Sequence, residues 1–199
     1  MKLAGVLLGG GASRRFGVQK LEAELHGSRL VDLACDHFLE AGLDPVVFVG
    51  RVAPADPRVL VAEPGREMID TLRNGLALLP EGAFAFAPAD MPALSADLIR
   101  RLMAVFEGCG KPYLVPSYDG RRGHPAFARE HGAFHRLGDR GGAREIWREA
   151  GEQLHHEVVA SADVLFDVDV PEDLAAAASE AARLERLITR GDLPGALSG

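Results

Sequence analysis

The stretch that decides the fold is "LAGVLLGGGASRRFGVQK", residues 3–20, in which an apolar run ends in three consecutive glycines. A short apolar run is typical of a strand buried on both faces of a sheet, here Leu3 to Leu8. Gly9, Gly10 and Gly11 leave room for the backbone to approach a ligand and let N–H groups turn inward. The turn therefore predicts an anion-binding site, although a glycine-rich turn with solvated basic residues also fits the pattern.

Two familiar phosphate motifs do not match this turn. A dinucleotide-binding fingerprint needs a third glycine where Arg14 stands, and a P-loop needs a lysine directly after its last glycine, whereas Lys20 lies three residues after Gly17. What remains is a long turn that carries Arg15 and Lys20, two cations suited to neutralising a triphosphate.

The rest of the chain alternates apolar runs with amphipathic segments. This alternation predicts βαβ units, and hence a three-layer α/β/α sandwich, Rossmann-like, with a mostly parallel sheet. Ser28 is expected to cap a helix that ends at Ala41, and Ser95 one that runs to Phe106. Buried strands are expected at, among others, 45–50, 58–62, 83–88 and 164–170.

The chain has 199 residues and a formal net charge of −7, with 47% hydrophobic residues. We expect one domain over residues 1–190 and a loose tail over 191–199. The acidic balance argues against nucleic acid or an acidic membrane as partner. Two isolated cysteines and the lack of an apolar run of about 18 residues indicate a cytoplasmic protein.

A carboxylate follows another expected strand. In "PADMP", residues 88–92, Asp90 stands between two prolines just past the strand at 83–88. Because ligands bind at the carboxyl ends of parallel strands, Asp90 is expected near the glycine turn. One or two carboxylates together with phosphate oxygens suit Mg²⁺, although an aspartate is also a common turn residue.

With these elements the chain resembles the MobA-like NTP transferases, the molybdopterin nucleotidyltransferases. The first family motif corresponds to Leu8, Gly9, Gly10, Gly11, Ser13, Arg15, Phe16, Gly17 and Lys20. The resemblance continues in order through "TLRNGL" (71–76), "ADMP" (89–92), "RRGHPAFA" (121–128), "GDRGGARE" (138–145) and "DVDVPEDL" (167–174). It implies the nucleotide-diphospho-sugar transferase type of fold.

The resemblance also implies roles for individual residues. Nucleotide binding is implied for Leu8, Gly9, Gly10, Gly11, Ser13, Arg15, Lys20, Thr71 and Asp90. Arg15, Lys20 and Asp90 are the implied catalytic residues, and His124 and Arg140 are expected beside the acceptor. Asp90 and Asp169 are the implied Mg²⁺ ligands, although Asp169 also fits as a simple lead into the helix that begins at Pro171.

The activity implied is Mg²⁺-dependent transfer of a nucleoside monophosphate from an NTP to a phosphorylated acceptor, molybdopterin first, with release of pyrophosphate. A glycine at position 10 is similar to the guanylyl-transferring branch of the family. The motifs "RGHP" and "GDRGGAR" are similar to the cytidylyl-transferring branch, and these two longer motifs slightly favour CTP over GTP. A sugar or alditol phosphate is an alternative acceptor. A regulatory module that binds nucleotide without catalysis is a third hypothesis, which the presence of Lys20 and Asp90 disfavours. The oligomeric state is not indicated.

Two further features bear on the site. Gly9 replaces the alanine usual in the family, which is expected to loosen the turn. His131 and His135 have the i, i+4 spacing of metal ligands, but the sequence offers no third ligand beside them, so both are expected to be surface residues.

Overall fold

The computed structural model describes residues 2–10, 19–137 and 142–177. Its strands are β1 (Ala4–Leu8), β2 (Glu24–Leu25), β3 (Ser28–Arg29), β4 (Val46–Val49), β5 (Leu60–Ala62), β6 (Phe84–Pro88), β7 (Tyr113–Tyr118), β8 (Arg121–Arg122), β9 (Ala126–Ala128) and β10 (Leu154–Val158). Its α-helices are α1 (Leu30–Ala41), α2 (Met68–Leu76), α3 (Ala96–Cys109), α4 (Gly132–Arg136) and α5 (Ala143–Ala150). Residues 171–177 are also helical.

The described strands form one main sheet in the order β10-β7-β9-β6-β1-β4-β5, with β8 paired to β7. The pairs β1–β4, β1–β6, β4–β5 and β7–β10 are parallel, and β9 runs antiparallel to both β6 and β7. The predicted mostly parallel sheet is thus confirmed. Strand β1 lies in the interior of the sheet, as its unbroken apolar sequence indicates, since all five of its residues are buried.

Helices cover both faces of the sheet. Alternate side chains of β1 point into two different hydrophobic cores. Leu7 belongs to the core on the side covered by α1 and α3, and Val6 belongs to the core on the side covered by α2, α4 and α5. The layered α/β/α arrangement follows from this division. No helix among the residues described is both long and apolar enough to cross a membrane.

Several local expectations are corrected by the structure. Ser28 does not cap α1: it pairs with Leu25 across a turn at His26 and Gly27, whose φ angles are +54° and +83°, and α1 begins after Arg29. The strand expected at 58–62 is shorter and lies at the sheet edge, so Leu60 and Val61 are exposed. By contrast, Ser95 caps α3 as expected, its hydroxyl accepting from the Leu98 N–H at 3.3 Å.

The apolar segment at 164–170 is not a strand. Ala162–Leu165 forms a 3₁₀ turn, and the chain then runs to the helix at 171–177 without pairing to the sheet. Val164 and Val168 are nevertheless fully buried, because the segment packs on the core shared with α1 and α3. Burial without sheet pairing gives the same apolar signature as a strand.

Candidate active site

The start of the glycine turn lies at the carboxyl end of β1 and is tightly packed. The Gly9 N–H donates to the Val49 carbonyl at 2.8 Å. A Cβ on Gly9 would lie 2.5 Å from the Phe48 ring, and one on Gly50 would lie 2.4 Å from the same ring. Phe48 thus fills the space that an alanine at position 9 would occupy, so Gly9 fits a compact packing arrangement here rather than a loose one.

Gly10 borders on helix α2. A Cβ there would meet the Thr71 hydroxyl at 3.0 Å and Pro64 at 3.2 Å. The buried Thr71 hydroxyl donates to the Glu67 carbonyl and accepts from the Gly65 N–H, both at 3.1 Å. Thr71 therefore anchors the loop over 64–67 against the turn, and its predicted contact with the nucleotide stays a prediction.

Lys20 lies between two carboxylates from distant parts of the chain. Its ammonium is 2.6 Å from Asp90 Oδ2 and 3.2 Å from Asp169 Oδ1, and the lysine side chain is only 13% exposed. Burial by itself lowers the pKa of Lys20, but hydrogen bonds to Asp90 and Asp169 and their negative charges outweigh it, so that the pKa of Lys20 is raised. The ammonium stays charged at neutral pH.

The segment over 167–169 is attached directly to the Asp90 turn. The Val168 N–H donates to the Asp90 carbonyl at 2.9 Å. Asp173 then accepts the N–H groups of Asp169 and Val170 at 2.8 and 2.9 Å, which fixes the backbone at the start of the last described helix. Asp169 leads into that helix as expected, and its carboxylate also contacts Lys20, whereas its role as a Mg²⁺ ligand stays a prediction.

Negative charge is concentrated around this lysine. Burial, together with the charges of Asp169 and Asp90, raises the pKa of Asp167 above its ordinary value. Asp90 Oδ1 is buried and has no hydrogen-bond partner among the described residues, although buried carboxylate oxygens are normally satisfied. Carboxylate oxygens are the donors that Mg²⁺ prefers. The unsatisfied Oδ1 and this donor set fit a divalent cation held by Asp90 and Asp169.

His124 lies at the same edge of the sheet, just before β9. Its N–H donates to the Val164 carbonyl at 2.8 Å, and a Cβ on the preceding Gly123 would be 2.3 Å from that same carbonyl oxygen. Gly123 therefore permits the close approach that places His124 near Asp167. Burial lowers the pKa of His124 to about 4, against the opposing effects of a backbone hydrogen bond with Phe86 and the charge of Asp167. Near neutral pH the imidazole is uncharged and its single N–H is used in the hydrogen bond with the Phe86 backbone, so the unpartnered Nδ1 can only accept a hydrogen bond and the ring supplies no positive charge.

The lowered pKa of His124 predicts a pH effect on stability. Below its ordinary pKa the histidine takes up a proton in the unfolded chain but stays neutral in the folded one, so stability falls as pH falls from about 6.5 towards 4. Between pH 7 and pH 5 this group should account for about 2 kcal/mol. His124→Asn should remove that part of the dependence, as measured by urea unfolding at both pH values.

His26→Asn is a matched control for this measurement. His26 is exposed and has a left-handed backbone that asparagine tolerates, so its replacement should leave the pH dependence as in the wild type. Equal pH dependence in His124→Asn and the wild type would contradict the prediction.

Some expected site residues lie outside the described residues: Gly11, Ser13, Arg15 and Arg140. Their predicted roles stay predictions. Among the rest, the structure brings Lys20, Asp90 and Asp169 together and places Gly9, Gly10 and His124 at the same edge of the sheet. Sequence reasoning missed the direct contact of Asp173 with the Asp169 N–H, although a helix N-terminal carboxylate was the available signal.

The site combines a glycine turn, a lysine and two carboxylates at the carboxyl ends of parallel strands. This arrangement is typical of α/β proteins that bind phosphorylated ligands at these strand ends. The family model of the MobA-like NTP transferase domain matches residues 5–158. The chain belongs to this family, and it is a nucleotidyltransferase.

Individual relatives agree with this assignment. The chain is 32% identical over 197 residues to a molybdenum cofactor guanylyltransferase of Mesorhizobium japonicum, a match that covers 88% of this chain and 94% of the relative. In fold it is similar to Rv0371c of Mycobacterium tuberculosis H37Rv, with a TM-score of 0.77 at 22% identity over 90% of this chain and 98% of that one. A complex of Rv0371c with manganese gives a TM-score of 0.66 at 20% identity, with 90% and 98% coverage.

Proposed function

We propose that this chain transfers GMP from GTP to molybdopterin in a Mg²⁺-dependent reaction that releases pyrophosphate. The observation that carries the proposal is the contact of Lys20 with both Asp90 and Asp169 beside the glycine turn. GTP is preferred as donor because the Mesorhizobium relative is named a guanylyltransferase and because Gly10 resembles the guanylyl branch. CTP is the second candidate, favoured by the "RGHP" and "GDRGGAR" motifs.

The transfer needs no protein nucleophile. An acceptor phosphate oxygen attacks the α-phosphorus of the nucleotide in line, the bond from that phosphorus to the bridging oxygen breaks, and pyrophosphate leaves with the bonding electrons. Bound Mg²⁺ supplies neutralisation of the triphosphate charge and a fixed orientation for its oxygens. The protein's contribution is therefore to position the two substrates and to stabilise the charge on the leaving group.

Individual described residues are suited to substrate positioning or to charge stabilisation. Gly9 and Gly10 carry no side chain, so the backbone at the end of β1 can lie against the nucleotide. Lys20 is held charged by Asp90 and Asp169, and its ammonium can neutralise part of the phosphate charge, whereas the two carboxylates would hold the divalent cation. His124 is uncharged near neutral pH, and its Nδ1, which has no partner among the described residues, can accept a hydrogen bond from a hydroxyl group of the acceptor. Manganese in the Rv0371c complex is in keeping with a divalent cation in this fold.

The test is thermal unfolding with GTP, CTP, ATP or UTP, each with and without Mg²⁺, followed by pyrophosphate release with molybdopterin as acceptor. A nucleotide at 100 times its dissociation constant should raise the melting temperature by about 5–10 °C. We expect that shift with GTP and Mg²⁺, and pyrophosphate release only when molybdopterin is added. A shift and turnover with CTP alone would replace the guanylyl by the cytidylyl assignment.

The acceptor needs its own comparison. A hexose 1-phosphate and an alditol phosphate, tested with the preferred nucleotide, should release no pyrophosphate. Turnover with either of them but not with molybdopterin would contradict the proposed acceptor. Nucleotide binding without turnover on any acceptor would favour a regulatory module.

A further inference from the structure

A second group of potential metal ligands lies at the end of the sheet opposite to the candidate active site, beside the amino end of β6. Glu81 precedes β6, and His131 follows β9, which is antiparallel to β6 with Phe84 opposite Ala128. Both residues therefore lie at the amino end of β6, whereas Asp90 follows its carboxyl end. His135 is one turn further along α4, and its N–H approaches the His131 carbonyl at 3.3 Å. The group is separated from the nucleotide site by the length of the strand.

The three side chains converge on one point. One potential ligand atom from each of Glu81, His131 and His135 lies within 4.8 Å of the other two. The distance from His131 Nδ1 to Glu81 Oε2 is 3.8 Å. Ligand atoms around a tetrahedral Zn²⁺ are separated by about 3.3 Å, as bond lengths near 2 Å require. Glu81, with a side chain 78% exposed, and the exposed His135 are free to rotate over the remaining distance.

His131 is the fixed member of this group, and its environment is unusual for a histidine. The sequence predicted a surface residue, but His131 is only 2% exposed, and its ring stands perpendicular to Phe84 with 5.1 Å between ring centroids. Its Nε2 is buried and has no hydrogen-bond partner among the described residues. Burial lowers the pKa of His131, although the charge of Glu81 opposes this.

We propose that Glu81, His131 and His135 form a binding site for Zn²⁺ or a similar transition-metal ion. Two imidazoles and one carboxylate are a donor set typical of zinc, whereas Mg²⁺ prefers oxygen donors alone. Because Glu81 and His135 are at the surface, solvent can supply the fourth ligand. The i, i+4 spacing of the histidines is visible in the sequence, whereas the third ligand is brought beside them by the antiparallel pairing of β9 with β6.

The position of the site gives it a structural consequence. A bound ion would tie the turn before β6 to the start of α4. Helix α4 is already joined to α2, because Arg73 Nε donates to the Phe134 carbonyl at 3.0 Å. Metal binding should therefore raise the melting temperature of the protein without any nucleotide present.

The experiment is titration of the full-length, tag-free, metal-stripped protein with Zn²⁺ by calorimetry and with Co²⁺ by visible absorption. We expect one equivalent bound, a Co²⁺ spectrum typical of four or five ligands including imidazole, and a raised melting temperature. Glu81→Gln and His135→Ala alter exposed side chains and should fold normally. Each should weaken Zn²⁺ binding at least about tenfold, because loss of a ligand costs no less than loss of a residue that supports one.

Two controls separate this site from other histidines and from the nucleotide site. His156→Ala removes an exposed histidine on β10 and should bind Zn²⁺ as the wild type does. Asp90→Asn should also keep wild-type Zn²⁺ affinity, whatever its effect on the nucleotide reaction. Absence of Zn²⁺ binding in the wild type, or wild-type affinity in both Glu81→Gln and His135→Ala, would overturn the proposal.

Discussion

Lys20→Ala is expected to lower kcat for nucleotidyl transfer by about 10²–10³-fold, the usual cost of losing one preorganised charge-stabilising donor. The physical reason is the position of the ammonium, 2.6 Å from Asp90 and 3.2 Å from Asp169 and held charged by both. Without it, the negative charge that develops on the leaving pyrophosphate loses this ammonium as a stabilising partner. Single-turnover rates of pyrophosphate release at saturating nucleotide measure this loss.

A second lysine provides the matched control for that variant. Lys2 also forms an ion pair with an aspartate, Asp44, at 3.0 Å, but both side chains are largely exposed. Exposed pairs contribute little, so Lys2→Ala should leave both rate and stability close to wild type. A Lys20→Ala rate within about threefold of wild type would exclude the charge-stabilising role.

Asp90→Asn is expected to cause a loss of turnover of at least the same size, about 10³-fold, together with weaker binding of divalent cation. Asparagine keeps the shape of the side chain but removes the negative charge and replaces one of the two carboxylate oxygens, of which the buried Oδ1 has no partner among the described residues, by an amide nitrogen. The direct readout is Mn²⁺ binding in the presence of nucleotide, measured by electron paramagnetic resonance, beside the rate with Mg²⁺.

The control for this change is Asp97→Asn. Asp97 is an exposed carboxylate in the first turn of α3, and its ion-pair partner is Arg100. Its replacement should change neither Mn²⁺ binding nor turnover. Wild-type Mn²⁺ affinity in Asp90→Asn would show that Asp90 does not hold the cation and would remove the basis of the proposed metal site.

The central part of the site was predictable because it depends on strand order alone. Apolar runs ending in glycine or in "PADMP" predict parallel strands, and the carboxyl ends of such strands meet at one edge. Leu8 and Pro88 are indeed register partners on β1 and β6, so the turns that follow them start side by side. The pairing of Lys20 with Asp90 extends this local rule, and the resemblance had already named both residues.

The features that could not be predicted from the sequence depend on tertiary contacts, and such contacts produce no periodic hydrophobic pattern. The 3₁₀ turn at Ala162–Leu165 buries Val164 as fully as a strand would, so hydropathy cannot distinguish the two. Glu81 joins His131 only because β9 reverses direction beside β6, a pairing between segments about forty residues apart in sequence that no local pattern encodes. The same non-local packing explains why His131 is buried although two charged residues, Arg129 and Glu130, precede it in sequence.

The ion pair between Lys20 and Asp169 joins residues 149 positions apart in sequence. This separation has a consequence for folding while the chain is being synthesised on the ribosome. The glycine turn is synthesised well over a hundred residues before Asp169. Until the later segment has emerged and docked through the Val168 N–H on Asp90, the proposed cation site has only one of its two carboxylates. If the proposed cation site is required for turnover, an incomplete or half-folded chain has no transfer activity, and the reaction starts only when folding has reached this segment.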